Sequence, residues 1–196
     1  MIIWINGSFG AGKTTTAFDL HHRLPGSYVF DPENIGYFFR KNIPRELQFQ
    51  DFQDFPIWRS FNYELLSYIA GKSDRVILIP MTVVNPDYFQ EIVGRLREEG
   101  HTVHHVALWV SKKELTKRLG RRLDRHSWAS KQVDRCMEGL SSHTCFQPHI
   151  ETDGLSIDEV VTRVAAVTGI ELQPDTRSPW KKTFNRINAL LQHIRS

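Results

Sequence analysis

Eight residues near the start of the chain have the types and spacing needed to bind phosphate groups. They form the pattern G-x-x-x-x-G-K-T as Gly7-Ser8-Phe9-Gly10-Ala11-Gly12-Lys13-Thr14, and Thr15 follows directly. The glycines let the backbone curl, so that successive N–H groups point at a triphosphate. In this pattern Lys13 reaches the β- and γ-phosphates and the Thr14 hydroxyl binds Mg²⁺. The motif therefore predicts an ATP and Mg²⁺ site formed by residues 7–15.

The residues on either side of the motif have the pattern of a strand and a helix. Ile2-Ile3-Trp4-Ile5 is a short apolar run typical of a buried parallel strand. From Thr14 to Leu24 the apolar residues have near-helical spacing, and Pro25-Gly26 ends the segment. A helix N-terminus after the loop adds partial positive charge toward a bound anion. Strand, glycine-rich turn and helix are the context that the motif requires, so a chance match is disfavoured.

Apolar runs alternate with helical patterns along most of the chain. Further candidate strands are Tyr28-Val29-Phe30, Val76-Ile77-Leu78-Ile79, the run from Val103 to Val110 and a short stretch near Ile150. Helix starts are indicated at Asn85-Pro86, Ser111-x-x-Glu114 and Ser156-x-x-Glu159. This alternation predicts a five-stranded, mainly parallel α/β sheet with flanking helices over residues 1–177. Ligands of such sheets bind at the carboxyl ends of the strands.

Asp31 follows the second candidate strand and precedes Pro32. Asp before Pro is a common start of a helix, so Asp31 is expected to cap one. At the end of a strand its carboxylate can also face the γ-phosphate, as general base for an acceptor hydroxyl or as a partner of Mg²⁺. We therefore predict catalytic, substrate and metal roles for Asp31, with Glu33 as a weaker substitute.

The third candidate strand ends in Ile79-Pro80-Met81-Thr82, without the Asp often found there in phosphate-loop NTPases. This absence argues against a motor or switch ATPase and leaves Asp31 as the nearest acid for magnesium. The Thr82 hydroxyl is predicted to hydrogen-bond a substrate or a water, or else to cap the next turn.

A dense basic run follows the fourth strand by one helix, Lys117-Arg118-Leu119-Gly120-Arg121-Arg122-Leu123-Asp124-Arg125-His126. A basic helix face is usually only solvated surface. In a phosphoryl-transfer enzyme, however, arginines at this place close over the phosphates and neutralise developing charge. We predict a lid over about 118–142, in which Arg118 stacks on the adenine and Arg122 and Arg125 face the phosphates.

Aromatic residues are concentrated in residues 51–63. Such rings ordinarily pack a helix onto the core, and they can also line a substrate pocket. Among the polar side chains of this stretch, Arg59 and Asn62 are predicted to contact the substrate.

Residues 178–196 have the pattern of a basic amphipathic helix. One face carries Trp180, Phe184, Ile187, Leu190, Leu191 and Ile194, and the rest is lined by Lys181, Lys182, Arg186 and Arg195. Packing against the domain is the ordinary explanation of an apolar stripe. A basic helix that begins with Trp can also lie on an anionic membrane surface. Both explanations are open, the second giving peripheral membrane contact through residues 179–196.

Composition limits the classes of protein that fit. The chain has 196 residues and a net charge of +3, with basic residues spread out except in two clusters, which does not favour a nucleic-acid-binding surface. Two cysteines are too few for a disulfide framework, and the phosphate loop lies where a secretory leader would be. We expect a cytoplasmic protein without a transmembrane span or a metal site other than that for Mg²⁺.

Several further strings, none of them general features of NTPases, resemble the bacterial ATP-binding tunicamycin-resistance protein family. They are Ile2-Ile3-Trp4-Ile5-Asn6-Gly7, Tyr28-Val29-Phe30-Asp31-Pro32-Glu33, Trp58-Arg59-Ser60-Phe61-Asn62-Tyr63, Ile79-Pro80-Met81-Thr82-Val83-Val84, Ile92-Val93-Gly94-Arg95-Leu96-Arg97, Ser127-Trp128-Ala129-Ser130-Lys131-Gln132-Val133-Asp134-Arg135-Cys136, Glu138-Gly139-Leu140-Ser141-Ser142 and His149-Ile150-Glu151-Thr152-Asp153. The resemblance covers nearly the whole chain. It implies a nucleoside-kinase-like fold with strand order 2-3-1-4-5. It also implies resistance to tunicamycin, a nucleoside antibiotic with amino sugars and a fatty acyl chain, and membrane association through the C-terminal region.

Three functions are compatible with these residues to different degrees. The favoured one is an ATP:Mg²⁺-dependent phosphotransferase that acts on a hydroxyl of tunicamycin or a related nucleoside-like compound. The alternative is a non-catalytic, ATP-dependent protein that sequesters the drug, perhaps at the inner face of the membrane. A regulatory GTPase is disfavoured because the chain has no Asn-Lys-x-Asp string to read guanine.

Overall fold

The structure, a computed structural model, describes residues 1–120 and 128–194, and for 187–194 the helix but not its side chains. One sheet of five parallel strands has the order β2-β3-β1-β4-β5. The strands are β1 Ile2–Gly7, β2 Tyr28–Val29, β3 Ile77–Pro80, β4 Val103–Trp109 and β5 His149–Glu151. The predicted fold class and strand order are therefore confirmed.

Helices connect the strands and cover both faces of the sheet. They are α1 Lys13–Arg23, α2 Pro32–Asn42, α3 Pro56–Lys72, α4 Pro86–Phe89, α5 Arg95–Glu98, α6 Lys112–Gly120, α7 Trp128–Lys131, α8 Val133–Ser142, α9 Ile157–Thr168 and α10 Pro179–Ile194. A π-helical turn, Gln90–Gly94, joins α4 to α5, and 3₁₀ turns are formed by Arg45–Leu47, Phe52–Asp54 and Thr144–Phe146. The predicted capping box at Ser156 is present, because its hydroxyl accepts from the Glu159 N–H and Glu159 bonds back to Ser156.

Alternate residues of β1 enter two separate cores, one on each face of the sheet. Ile2 and Trp4 belong to the core that also contains residues of α2 and α3, whereas Ile3 and Ile5 pack with residues of α1 and α9. All four side chains are fully buried. Burial of each contributes about 2 kcal/mol or more, so β1 is firmly fixed and with it the point where the phosphate loop begins.

All strands are parallel, so their carboxyl ends meet at one edge of the sheet. The phosphate loop joins β1 to α1 at this edge, Asp31 follows β2, and Thr82 follows β3. Since β3 lies between β2 and β1, the topology brings these three features together. This edge of the sheet is therefore the candidate functional site.

Helix α10 packs against α1 and α9 through charged side chains. Arg186 pairs with Asp19 of α1 at 2.6 Å, and Lys182 pairs with Asp158 of α9 at 2.9 Å. Trp180 and Phe184 are 87% and 63% exposed, so the start of the apolar stripe faces away from the domain. The surface that α10 meets presents carboxylates, which explains why the basic face of the helix and not Trp180 or Phe184 is turned inward. No helix in residues 1–120 and 128–194 is both long and apolar enough to cross a membrane.

Candidate active site

The phosphate loop has backbone conformations that glycine alone adopts readily. Gly7 has φ 143°, and a Cβ there would lie 2.8 Å from the carbonyl oxygen of Leu108. Gly12 has φ 97° and directly precedes α1, whose first residue is Lys13. The N–H groups of the first turn of α1 therefore point toward the loop, where the helix dipole favours negative charge.

Lys13 is folded over the loop that precedes it. Its Nζ donates to the carbonyl oxygen of Ser8 at 3.1 Å and lies 5.5 Å from the centre of the Phe9 ring. The side chain is nearly buried, whereas Thr14 and Thr15 in the same turn are half-buried. Inward N–H groups, a lysine and a threonine hydroxyl in this order suit a triphosphate with its Mg²⁺, which the Thr14 hydroxyl would hold.

Asn6, the last residue before the loop, fixes two backbone segments at once. Its Nδ2 donates to the carbonyl oxygen of Val83 at 2.7 Å, and its Oδ1 accepts from the N–H groups of Gly7 and Val83 at 2.8 and 3.1 Å. The side chain is fully buried, so these bonds replace those that water would make. Sequence reasoning did not single out Asn6, although a polar residue closing an apolar strand is a signal that could have found it.

Thr82 lies beside the beginning of the phosphate loop. Its hydroxyl donates to the carbonyl oxygen of Gly7 at 2.7 Å, and its own carbonyl oxygen accepts from Gln53 Nε2 at 3.0 Å. The side chain is 2% exposed. The substrate contact of Thr82 stays a prediction, and its hydrogen bonds make it a support of the loop.

Asp31 caps α2 as expected, because its Oδ1 accepts from the N–H of Glu33 at 3.0 Å. The residue is half-buried, which leaves room for a catalytic role beside the capping role. Burial and the neighbouring carboxylates of Glu33 and Asp31 raise the pKa of Tyr37, one turn further along α2, to about 12. Tyr37 therefore keeps its proton at physiological pH. The groups that carry negative charge at this end of α2 are the carboxylates of Asp31 and Glu33.

The two other predicted substrate residues, Arg59 and Asn62, lie inside the protein. The Arg59 guanidinium donates to Glu91 Oε2 and to the carbonyl oxygen of Gln53, both at 2.6 Å. Asn62 is fully buried, and its Nδ2 donates to the carbonyl oxygen of Trp58 at 2.7 Å. Arg59 thus supports Gln53, which in turn holds Thr82, while Asn62 belongs to the interior of α3.

Part of the predicted lid can be located. Arg118 lies in α6, where its Nε donates to Glu114 at 3.2 Å and the side chain keeps about a quarter of its surface exposed. Arg122 and Arg125 lie outside the described residues. The first residue of α7 contacts the phosphate loop. The Trp128 ring meets the Phe9 ring edge-on, with 5.3 Å between their centres.

Helix α8, the last part of the predicted lid, is packed tightly against the site. Its Cys136 is fully buried, and burial raises the pKa of this thiol. A Cβ on Gly139 would lie 2.8 Å from the Cβ of Val84, so the helix approaches the segment after β3 as closely as glycine allows. These contacts make α8 a fixed side of the site.

An ion pair joins α8 to the segment before α3. Arg135 donates to Asp51 Oδ2 at 2.9 Å, and the Asp51 side chain is 7% exposed. The two residues are 84 positions apart, and no pattern in the sequence pairs them. The pair links α8 to the turn that carries Gln53.

Comparison with known proteins agrees with this architecture. Residues 2–142 match the family described as AAA domain. The solved structure of the Deinococcus radiodurans tunicamycin resistance protein matches with a TM-score of 0.75 and 34% identity, over 88% of this chain and 98% of that one. The chain belongs to the tunicamycin-resistance protein family. No curated protein matches the chain.

Kinases of other families share the fold of this tunicamycin-resistance family member. A sugar kinase from a Janibacter species matches with a TM-score of 0.60 at 15% identity, over 86% of this chain and 94% of that one. Shikimate kinase from Bacteroides thetaiotaomicron matches with a TM-score of 0.58 at 20% identity, over 87% of this chain and 99% of that one. The fold is thus that of a nucleotide-binding, kinase-like phosphate-loop protein.

Proposed function

We propose that the protein is an ATP:Mg²⁺-dependent phosphotransferase that phosphorylates a hydroxyl of tunicamycin or of a related nucleoside-like compound. The observation that carries the proposal is the position of Asp31 at the same edge of the sheet as the phosphate loop, in a chain of this family. A triphosphate at the loop and an acceptor hydroxyl at the carboxylate would then lie next to each other.

The residues have distinct roles in this reaction. The loop backbone and Lys13 hold the β- and γ-phosphates, and Thr14 with Asp31 would hold Mg²⁺, which neutralises phosphate charge when bound. The acceptor oxygen attacks the γ-phosphorus as the bond to the β,γ-bridging oxygen breaks, leaving ADP. Asp31 takes the proton of the acceptor hydroxyl.

The arginines of the lid complete the proposed site. Arg118 lies against the adenine, and Arg122 and Arg125 neutralise charge on the transferring phosphoryl group. Arg59 and Asn62 would shape the acceptor side through their neighbours, since their hydrogen bonds are with protein groups.

Mass spectrometry of tunicamycin incubated with the protein, ATP and Mg²⁺ tests the proposal. We expect the drug to gain the mass of one phosphoryl group (HPO₃), and ADP to form in equal amount. The control is Lys13→Ala, which should fold and give no product. Unmodified drug in a sample where calorimetry shows it bound would reject the transferase and leave the sequestering protein as the function.

We further propose that α10 contacts an anionic membrane surface. Trp180 and Phe184 are exposed beside the exposed Lys181, a combination typical of helices that lie at a lipid–water interface. Flotation with vesicles containing phosphatidylglycerol should bring up the wild type but not Trp180→Ser/Phe184→Ser. Tyr68→Ser, which removes an aromatic ring 67% exposed on α3, is the matched control. Equal flotation of the three proteins would contradict this contact.

A further inference from the structure

Large apolar side chains are exposed on α2, on the segment that follows it and at the beginning of α3. We name this region the phenylalanine surface and define it by Phe38, Leu47, Phe49, Ile57 and Phe61, which are 61%, 64%, 51%, 58% and 47% exposed. Single exposed apolar residues are ordinary, but a group of large ones points to a binding surface.

Two buried rings, Phe39 and Phe55, connect the three exposed phenylalanines of this surface. Phe39 meets Phe38 and Phe61 with ring centres 6.1 and 6.4 Å apart, and Phe55 meets Phe49 at 4.9 Å. Phe39 and Phe55 also contact each other, at 6.2 Å. The exposed rings therefore rest on a common buried layer, and Ile57 lies one helical turn from Phe61 on α3.

Helix α2 connects the proposed acceptor site to the phenylalanine surface. Helix α2 begins directly after Asp31, and Phe38 comes seven residues later, about 10 Å along the helix axis. Phe55 directly follows the turn that carries Gln53, which bonds to Thr82. A ligand held at Asp31 would therefore need an apolar chain of at least about 10 Å to reach Phe38.

We propose that the phenylalanine surface binds the long apolar chain of an amphiphilic acceptor whose hydroxyl-bearing head group lies at Asp31. The inference rests on the proposed function and adds a substrate preference to it. An acylated nucleoside such as tunicamycin should bind more tightly than the same compound without its acyl chain. The surface offers roughly 500 Å² of apolar area, taking half of a large side chain at each position. That suits one acyl chain and is less than the about 800 Å² per partner that a stable dimer buries.

Binding and transfer measured separately with two ligands test this inference. Calorimetry gives the dissociation constants of tunicamycin and of its deacylated core in the presence of Mg²⁺ and the non-hydrolysable analogue AMP-PNP. We expect the wild type to bind the acylated compound at least ten-fold more tightly, and Phe38→Ser/Phe61→Ser to lose most of that preference. Tyr68→Ser removes an exposed ring further along α3, outside the phenylalanine surface, and should keep the preference. AMP-PNP affinity should be the same in all three proteins, which shows that the variants are folded.

The possible outcomes separate this inference from the proposed function. Equal affinity of the wild type for both compounds, with both phosphorylated, would overturn the chain-binding surface and leave the transferase intact. A preference for the acylated compound that depends on Phe38 and Phe61, without phosphate transfer, would support the surface and reject the transferase. Sedimentation of a wild-type dimer that Phe38→Ser/Phe61→Ser converts to a monomer would instead assign the surface to a second copy of the chain and overturn the inference.

Discussion

The Thr82 hydroxyl donates a 2.7 Å hydrogen bond to the carbonyl oxygen of Gly7, the first residue of the phosphate loop. Both groups are buried, so this bond fixes the loop to the end of the neighbouring strand β3. Asn6 adds three bonds to Val83 and Gly7 at the same place. The first glycine of the loop is thus held by side chains outside the phosphate-binding motif.

Thr82→Val should weaken nucleotide binding without unfolding the protein. Valine has the shape of threonine but leaves the Gly7 carbonyl oxygen without this donor, at a cost of about 1–3 kcal/mol. Part of that cost is relieved when the loop shifts, so we expect the affinity for AMP-PNP to fall about ten-fold. Calorimetry measures the change, and Thr82→Ser, which keeps the hydroxyl, should bind like the wild type. Full affinity in the valine variant would show that the bond does not shape the loop.

Asp31→Asn separates the helix-capping role of this residue from its proposed catalytic roles. Asparagine caps helices as well as aspartate, so the melting temperature should hardly change. An amide cannot accept the proton of the acceptor, and the rate of phosphate transfer should fall by about 10²–10⁴. Asp31→Ala should lose the cap as well and be destabilised by about 1 kcal/mol. If Asp31→Asn transferred phosphate at the wild-type rate, another group would have to be the base.

Local sequence patterns predicted the strands and helix starts, which are determined by residues close together in the chain. The run before the phosphate loop predicted β1, Asn85 and Ser156 predicted the starts of α4 and α9, and the alternation of elements predicted the parallel sheet. Such signals are readable because caps and periodicity involve residues only a few positions apart.

Contacts between segments that are distant in the chain could not be predicted from such local patterns. Trp180 and Phe184 have helical spacing on an apolar face, yet they are exposed, because Asp19 and Asp158 on α1 and α9 draw the basic face of α10 inward. The sequence shows the stripe of α10 but not the charges that meet it. The sequence likewise does not show that Arg59, predicted to contact the substrate, pairs with Glu91 and Gln53, which are distant or unpatterned in the chain.

Asp19→Asn should destabilise the protein by loosening α10 from α1. Asp19 is 2% exposed and pairs with Arg177 at 3.0 Å and with Arg186 at 2.6 Å. Removing one charge of a buried pair typically costs about 3–5 kcal/mol. Both arginines keep a second acid, so we expect a loss of about 2 kcal/mol in urea unfolding. Asp158→Asn, at a half-exposed side chain, is the control and should cost less than 1 kcal/mol. Equal effects of the two changes would contradict a special role of the buried carboxylate.

His105 is held in its neutral form beside the phosphate loop. It is 4% exposed, and burial lowers its pKa to about 4. Its Nε2 lies 3.2 Å from Nδ2 of Asn6, whose Oδ1 is occupied by two backbone N–H groups, so Nδ2 must donate and Nε2 must accept. A proton on Nε2 would place two donors against each other.

Stability should therefore fall as the pH falls from about 6.5 to about 4. In this window the unfolded chain, with an ordinary histidine, binds a proton that the folded protein excludes, so the free energy of unfolding decreases as the solution is acidified. A pKa lowered from 6.5 to about 4 corresponds to about 3 kcal/mol at the acid end. Urea unfolding at successive pH values should show this slope in the wild type and a flatter one in His105→Gln, whatever the absolute stability of the variant.

His22→Gln is the control for this prediction. Burial and Arg177 also lower the pKa of His22, but His22 lies at a more exposed site. If His22→Gln flattened the slope and His105→Gln did not, the proton excluded on folding would belong to His22.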